Sequence, residues 1–349
     1  MENRNKIPSP VFEIVRDMKI GWNLGNSLES PAPESVNPKL NEYETSWGNP
    51  ITTKAMIREV VRAGFRVIRI PVTWGKLMGE GPDYIIDSEW MNRVQEVVDY
   101  AYEEDVYVIL NIHHEDQWLF LGDESAEKTA TNILEKVWTQ IAGRFQGYGH
   151  RLLFETMNET RLIGTEDEWT AGTHAARKTI NKYNKAAVKA IRSTGGENSD
   201  RTIIIKTIGA RYNVEAINDV DIPENDNHII LSVHIYEPYY FCMVPGRDAY
   251  WGTKEDEEAL SLLIRSAVKA AENKGMPLIF GEFGTINKGN EESRVRYAAH
   301  FVRQVKENGA SCILWDNNIP NNEFGYSIFD RQNLTWRHPR ILKAIIDNS

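Results

Sequence analysis

Short apolar runs alternate along this chain with longer stretches whose apolar residues recur every three or four positions, and the alternation continues without a break in composition. The runs at 20–24, 67–70, 106–112, 152–156, 202–205, 229–235, 278–281 and 311–315 read as strands. Between them, 52–63, 90–103, 132–145, 179–193, 257–272 and 294–306 carry helical periodicity. Runs such as Val-Tyr-Val-Ile-Leu and Ile-Ile-Leu-Ser-Val are continuously apolar rather than alternating, as strands of a parallel sheet are when helices cover it. Eight such units predict an α/β fold, a single (β/α)8 TIM barrel, with the fifth and eighth helices the least marked. No linker or short internal repeat interrupts the pattern, so 1–349 is expected to form one barrel domain, with 1–17 as a lead-in.

Two of the connections that come after strands are long. One, 30–47, contains Pro31, Pro33 and Pro38; the other, 236–256, is rich in aromatics. In a barrel both lie on the C-terminal face, where active sites are built.

A formal net charge of -10, with no dense block of Lys or Arg, speaks against nucleic acid and anionic membrane as partners and suits a neutral polymer. The longest apolar stretches are strand-length, well short of a membrane span. The opening residues, MENRNKIPSP, contain no apolar segment of the secretory type. Cys242 and Cys312 are the two cysteines, and both are expected as buried free thiols because Cys312 lies inside a strand run.

The candidate chemistry sits at strand ends. Arg69, His113, Glu159, Tyr236, Glu282 and Trp315 each fall at or just beyond the end of a different run. Singly each has an ordinary explanation, an ion pair for the arginine or core packing for the tryptophan; a closed barrel would bring all six onto one face. Two glutamates placed there can supply the protonated acid and the ionised carboxylate that cleave a glycosidic bond. Where two such carboxyls lie close together, a guanidinium such as that of Arg69 and a hydroxyl such as that of Tyr236 would favour ionisation of one of them, and its charge would raise the pKa of the other. Glu155 precedes its strand end and is expected to bond within the barrel. The run His113-His114-Glu115 suggests a metal, but neighbouring strand residues point to opposite faces and no HExxH spacing accompanies it, so neither metal nor cofactor is expected. A serine nucleophile is disfavoured because GxSxG is absent.

The segments GWNLGNSLE (21–29), ETSWGNP (44–50), FRVIRIPVTW (65–74), VILNIHHE (108–115), LLFETMNE (152–159), SVHIYEP (232–238), IFGEFG (279–284) and ILWDNN (313–318) occur in that order over nearly the whole chain. Together they resemble glycoside hydrolase family 5 of the clan A barrels, most closely its subfamily 4 endoglucanases. The resemblance implies a retaining endo-β-1,4-glucanase that needs no cofactor, with Glu159 as acid/base and Glu282 as nucleophile. It further implies that Asn158 bonds the sugar 2-hydroxyl, that His113 and His234 orient substrate and carboxylates, and that Trp315 forms a platform under the sugar cleaved. Asn26, His114, Trp47 and Trp118 are expected as further substrate contacts. Among the loop aromatics, Tyr239, Tyr240, Phe241 and Trp251 are equally suited to stack on sugar or to pin loops, and Trp47 and Trp118 are the favoured stackers.

The expected partner is a β-glucan polysaccharide or oligosaccharide, met by a monomer outside the cell, since such polymers do not enter cells intact. Preference for xyloglucan, lichenan or mannan is the alternative within the same mechanism. A non-catalytic glycan-binding barrel is the alternative of another class, disfavoured because Glu159, Glu282, Arg69 and Tyr236 are all in place. Thr160 stands where the family usually has proline, which turns Asn158-Glu159-Thr160 into a formal glycosylation triplet. That triplet reads as accidental, because a glycan on Asn158 would block the cleft.

Overall fold

Eight parallel strands close on themselves in chain order: β1 (Ile20–Leu24), β2 (Val67–Ile70), β3 (Tyr107–Asn111), β4 (Leu152–Glu155), β5 (Ile203–Arg211), β6 (Ile229–Ile235), β7 (Leu278–Phe283) and β8 (Ser311–Asp316), with β8 paired to β1. The computed structural model describes residues 10–223, 226–320 and 324–349. Helices Lys54–Arg62, Ser88–Tyr102, Glu124–Arg144, His174–Ser193, Lys254–Asn273 and Glu291–Glu307 alternate with the strands and cover the sheet, as a (β/α)8 barrel requires. The fifth and eighth helical positions hold Val214–Asn218 and Pro339–Asn348. A two-stranded antiparallel hairpin, β9 (Phe329–Asp330) with β10 (Thr335–Trp336), lies between β8 and the last helix.

Several boundaries differ from the sequence pattern for local reasons. The helix expected from 132 begins at Glu124, because the Asp123 side chain accepts from the backbone N–H groups of Ser125 and Ala126 and caps a first turn that carries little apolar signal. Strand β5, expected to stop at 205, continues through Lys206 to Arg211, with left-handed backbone at Gly209 and Ala210 and a register shift against β6. A lysine ends an apolar run on paper. Here Lys206 is wholly buried inside the barrel.

The lead-in is structured as well. Helix Pro10–Met18 packs Val11, Val15 and Met18 against the apolar floor of the barrel, formed by Val67, Ile109, Leu153, Ile204, Ile230, Ile279 and Ile313. Burying such side chains stabilises by roughly 1.5–3 kcal/mol each. The helix closes the N-terminal mouth.

Because side chains alternate along a strand, the residue two positions after each floor residue also points inward, one layer nearer the C-terminal face. Those residues are Arg69, Asn111, Glu155, Lys206, Ser232, Gly281 and Trp315, with Asn23 after Gly21 on β1. An apolar floor thus carries a polar layer, on which the site is built. Cys242 and Cys312 are free and buried. Among the described residues no helix is long and apolar enough to cross a membrane.

Candidate active site

Arg69 organises the polar layer. Fully buried, it donates to Glu155 Oε2 (2.9 Å from Nε), Asn23 Oδ1 (2.8 Å), Asn158 Oδ1 (2.8 Å) and Glu282 Oε1 (2.9 Å). A guanidinium can serve four acceptors at once because its donors form a rigid fork. Glu155 bonds within the barrel, taking Asn111 Nδ2 on Oε2 and Lys206 Nζ on Oε1 at 3.1 Å. Burial opposes its charge, but the two cations beside it outweigh burial and hold it down at about 2.

Above this layer the two candidate glutamates approach one another. An oxygen of Glu159, the Glu282 oxygen facing it and a ring nitrogen of His234 all lie within 4.8 Å of one another. Glu282 Oε1 takes the Arg69 guanidinium and Oε2 takes the Tyr236 hydroxyl at 2.8 Å, so the carboxylate is held from both sides. Glu159 instead meets His234 Nδ1 at 2.6 Å. Burial, reinforced by the Glu282 charge, pushes Glu159 up to about 8. Burial also raises Glu282 above the usual carboxylate value, against the pull of Arg69 and Tyr236, so the expectation that those donors set its pKa holds only in part. They decide the order within the pair: Glu282, which alone touches the guanidinium, ionises first, and the remaining proton stays on Glu159.

This order has a consequence for pH. If catalysis uses Glu282 ionised and Glu159 protonated, kcat/KM should fall as pH drops through the Glu282 pKa and fall again as it rises through about 8. On an activated aryl glycoside, whose leaving group needs no proton, Glu159→Ala should abolish the alkaline limb and keep the acidic one. An alkaline limb that persists unchanged in that variant would assign it to another group.

His113 receives Asn111 Nδ2 at Nδ1 (3.0 Å), which places its own hydrogen on Nε2, and burial keeps the ring neutral. Asn111 had no distinguishing signal in the sequence beyond its place at the end of a strand. His113 and His114 both line the same cleft, their ring centroids 4.5 Å apart. The alternation invoked against a shared orientation does not apply to them, because β3 ends at Asn111 and both lie beyond it. Among the described residues the set of close potential metal ligands is Glu159, His234 and Glu282, without His113 or His114. Both His234 nitrogens are already engaged, by Glu159 and by Lys206 Nζ at 2.8 Å.

A cleft of about 600 Å³ holds Glu159, Glu282, Asn158, His113, His114, His234, Tyr236 and Trp315. Trp315 is half-buried, and its ring lies nearly parallel to that of His113. The far wall contains residues that the strand pattern did not single out: Trp169, Arg211, Met243 and Tyr326, together with Tyr239. Trp169 is 50% exposed, with the Arg161 guanidinium 4.4 Å over its ring. His114 also borders an adjoining cavity of about 520 Å³, to which the long connection after β1 contributes Pro31, Ala32 and Trp47. Trp47 is 42% exposed there, edge-on to His114.

Other expected contacts lie elsewhere. Trp118 is only 9% exposed, donates its indole N–H to buried Glu115 at 2.6 Å and lines neither cavity; it pins its loop. Asn26 lies in left-handed backbone at the end of β1, where its carbonyl accepts from Asn49, and it lines neither cavity. Phe241 and Trp251 are core residues packed around Tyr297, whereas Tyr240 is exposed beneath the Arg247 guanidinium. Asn158 is buried with its Oδ1 on Arg69, so the folded chain cannot present the 158–160 triplet to a glycosylating enzyme.

The cellulase family model, glycosyl hydrolase family 5, matches residues 30–321. The chain belongs to glycoside hydrolase family 5. This family 5 chain is 42% identical over 341 residues to endoglucanase B of Clostridium cellulovorans, spanning 96% of the chain and 74% of that protein. It is 41% identical to the cellulase/esterase CelE of Acetivibrio thermocellus, covering 96% of the chain but 40% of that longer protein. Among solved structures, a GH5-4 broad specificity endoglucanase from Clostridium acetobutylicum superposes with a TM-score of 0.91 at 42% identity, covering 98% of this chain and 100% of that one. A GH5 xyloglucan-specific endo-β-1,4-glucanase from a metagenomic library, solved with cellotriose, gives a TM-score of 0.92 at 38% identity over 98% of this chain and 99% of that one.

Proposed function

We propose that this endo-β-1,4-glucanase cleaves its substrate by double displacement, with Glu282 as nucleophile and Glu159 as acid/base. The observation that supports this reading is that an oxygen of Glu159 and an oxygen of Glu282 lie within 4.8 Å of one another. Retaining enzymes hold their carboxyls about 5–5.5 Å apart, whereas inverting enzymes leave about 6.5–9.5 Å for a water molecule. In the first half-reaction a Glu282 oxygen attacks the anomeric carbon, the glycosidic C–O bond breaks, and Glu159 delivers its proton to the departing oxygen. In the second, Glu159, now a carboxylate, takes a proton from water as that water attacks the same carbon and releases Glu282.

In this reading Asn158, whose Oδ1 accepts from Arg69, bonds the sugar hydroxyl next to the reacting carbon, and Trp315 in the same cleft offers an indole face to the apolar side of the ring. The cleft and its neighbour, sharing His114, suit a chain that runs across the site, which favours cleavage at internal bonds. The substrate class is β-1,4-linked glucan, including mixed-linkage glucan and xyloglucan, the latter supported by the xyloglucan-specific relative of the same fold. The same reading places the enzyme outside the cell, where polymeric glucan is found, and has it act as a monomer.

The test measures both stereochemistry and the mode of cleavage. Proton NMR at early times should show the β-anomer appearing first, while carboxymethylcellulose or barley mixed-linkage glucan loses viscosity faster than reducing ends accumulate. A first product of inverted configuration would sink the nucleophile assignment; cellobiose as the sole early product, with viscosity barely changed, would sink the endo reading.

A further inference from the structure

Lys206 has no part in the chemistry just described, yet it is fully buried at the site's base with three hydrogen-bond partners: Glu155 Oε1 (3.1 Å), Ser232 Oγ (3.0 Å) and His234 Nε2 (2.8 Å). Two nitrogens 2.8 Å apart bond only if one of them is unprotonated. Either Lys206 is an ammonium donating to a bare Nε2, or it is an amine accepting from Nε2–H. Charge balance decides between these. Among the buried groups joined by these contacts, which leave out the half-buried Glu237 and Arg211 of the cleft wall, Glu155 and Glu282 are the anions and Arg69 supplies one positive charge; with Glu159 protonated and His234 neutral, only an ammonium at Lys206 makes that buried set neutral. Burial works against that ammonium and the adjoining Glu155 carboxylate sustains it.

With an ammonium on Nε2, the His234 hydrogen must sit on Nδ1, 2.6 Å from Glu159 Oε1. A donor aimed at Oε1 leaves the acid proton of Glu159 on its other oxygen. The opposite tautomer would present a lone pair to Oε1 and draw the acid proton toward the ring. We propose that Lys206 is a positioning residue for the acid/base: by donating to His234 Nε2 it locks the Nδ1–H tautomer, which keeps the Glu159 proton on the oxygen His234 does not hold. The other charged or titratable groups facing His234 are Glu282 from β7, Arg69 from β2 and His113 from beyond β3, and none of them contacts Nε2 at the Lys206 position. This inference rests on Glu159 being the acid/base.

Nitrogen-15 NMR of the wild-type histidines, with His234 assigned by its loss in His234→Gln, tests it without relying on a Lys206 variant to fold. The expected result is a neutral His234 in the Nδ1–H form; an Nε2–H form or an imidazolium between about pH 5 and 8 would overturn the proposal. In Lys206→Met the Nδ1–H signal should give way to the other tautomer, and kcat/KM on polysaccharide should fall about 10–100-fold, part of what a general acid contributes. The loss on an activated aryl glycoside should be at least tenfold smaller, and Lys206→Arg should recover part of the polysaccharide rate. Equal losses on both substrates with the tautomer unchanged would make Lys206 purely structural. Failure of the acid/base assignment itself would show separately, as equal losses on the two substrates in Glu159→Ala.

Discussion

Glu282→Ala should lower turnover by about 10⁴-fold or more on both polysaccharide and activated aryl glycosides, because in the proposed mechanism both substrates need its carboxylate to form the bond to the anomeric carbon. Glu159→Ala should behave differently. Its loss on polysaccharide should be roughly 10²–10⁴-fold, the usual worth of a general acid, while an aryl glycoside with a good leaving group should still form the glycosyl-enzyme at near the normal rate. Added azide should then speed turnover by entering the space vacated by the carboxylate and trapping the intermediate. Steady-state rates on the two substrates, with mass spectrometry of the intermediate, separate the roles. A covalent intermediate formed normally by Glu282→Ala would show that the nucleophile lies elsewhere.

Arg69→Met should cost both stability and activity. It removes the cation from between Glu155 and Glu282 and strips Asn23 and Asn158 of their shared donor. Breaking a fully buried pair by deleting one partner costs about 3–5 kcal/mol, because the other charge stays buried. Glu155 still has Lys206 and Asn111, which puts the expected loss at the lower end of that range. Activity should drop beyond the stability effect, since Glu282 loses the donor that makes it ionise ahead of Glu159. A denaturant midpoint and kcat/KM measured well below the melting transition separate the two. Full activity in a destabilised variant would mean that Tyr236 alone sets the state of Glu282.

The barrel was legible because its signal is periodic and local. Continuous apolar runs mark strands buried on both faces, and β1, β2 and β6 lie where those runs do. Glu159 and Glu282 were legible for the same reason: a strand of known direction delivers the residues at its C-terminal end to one face of the barrel. Where the pattern misled, a polar residue had been compensated out of sight. Lys206 ended the β5 run in sequence, but in the fold its charge meets Glu155, some fifty residues away along the chain, and the strand runs on to Arg211. Trp118 shows the converse. Its place in a loop of the catalytic face suggested sugar stacking, but its indole N–H is committed to Glu115.

The sequence by itself therefore determined the (β/α)8 architecture, the family and the face on which the chemistry sits, since all three come from periodicity and from motifs carried on single strands. Only the tertiary structure decided which donors hold each carboxyl, which loop residues are tied to the barrel and which aromatics stay open to a ligand. Those properties depend on distances of a few ångströms between side chains drawn from different strands, and on the burial that makes each such contact strong. Both arise only when the barrel closes.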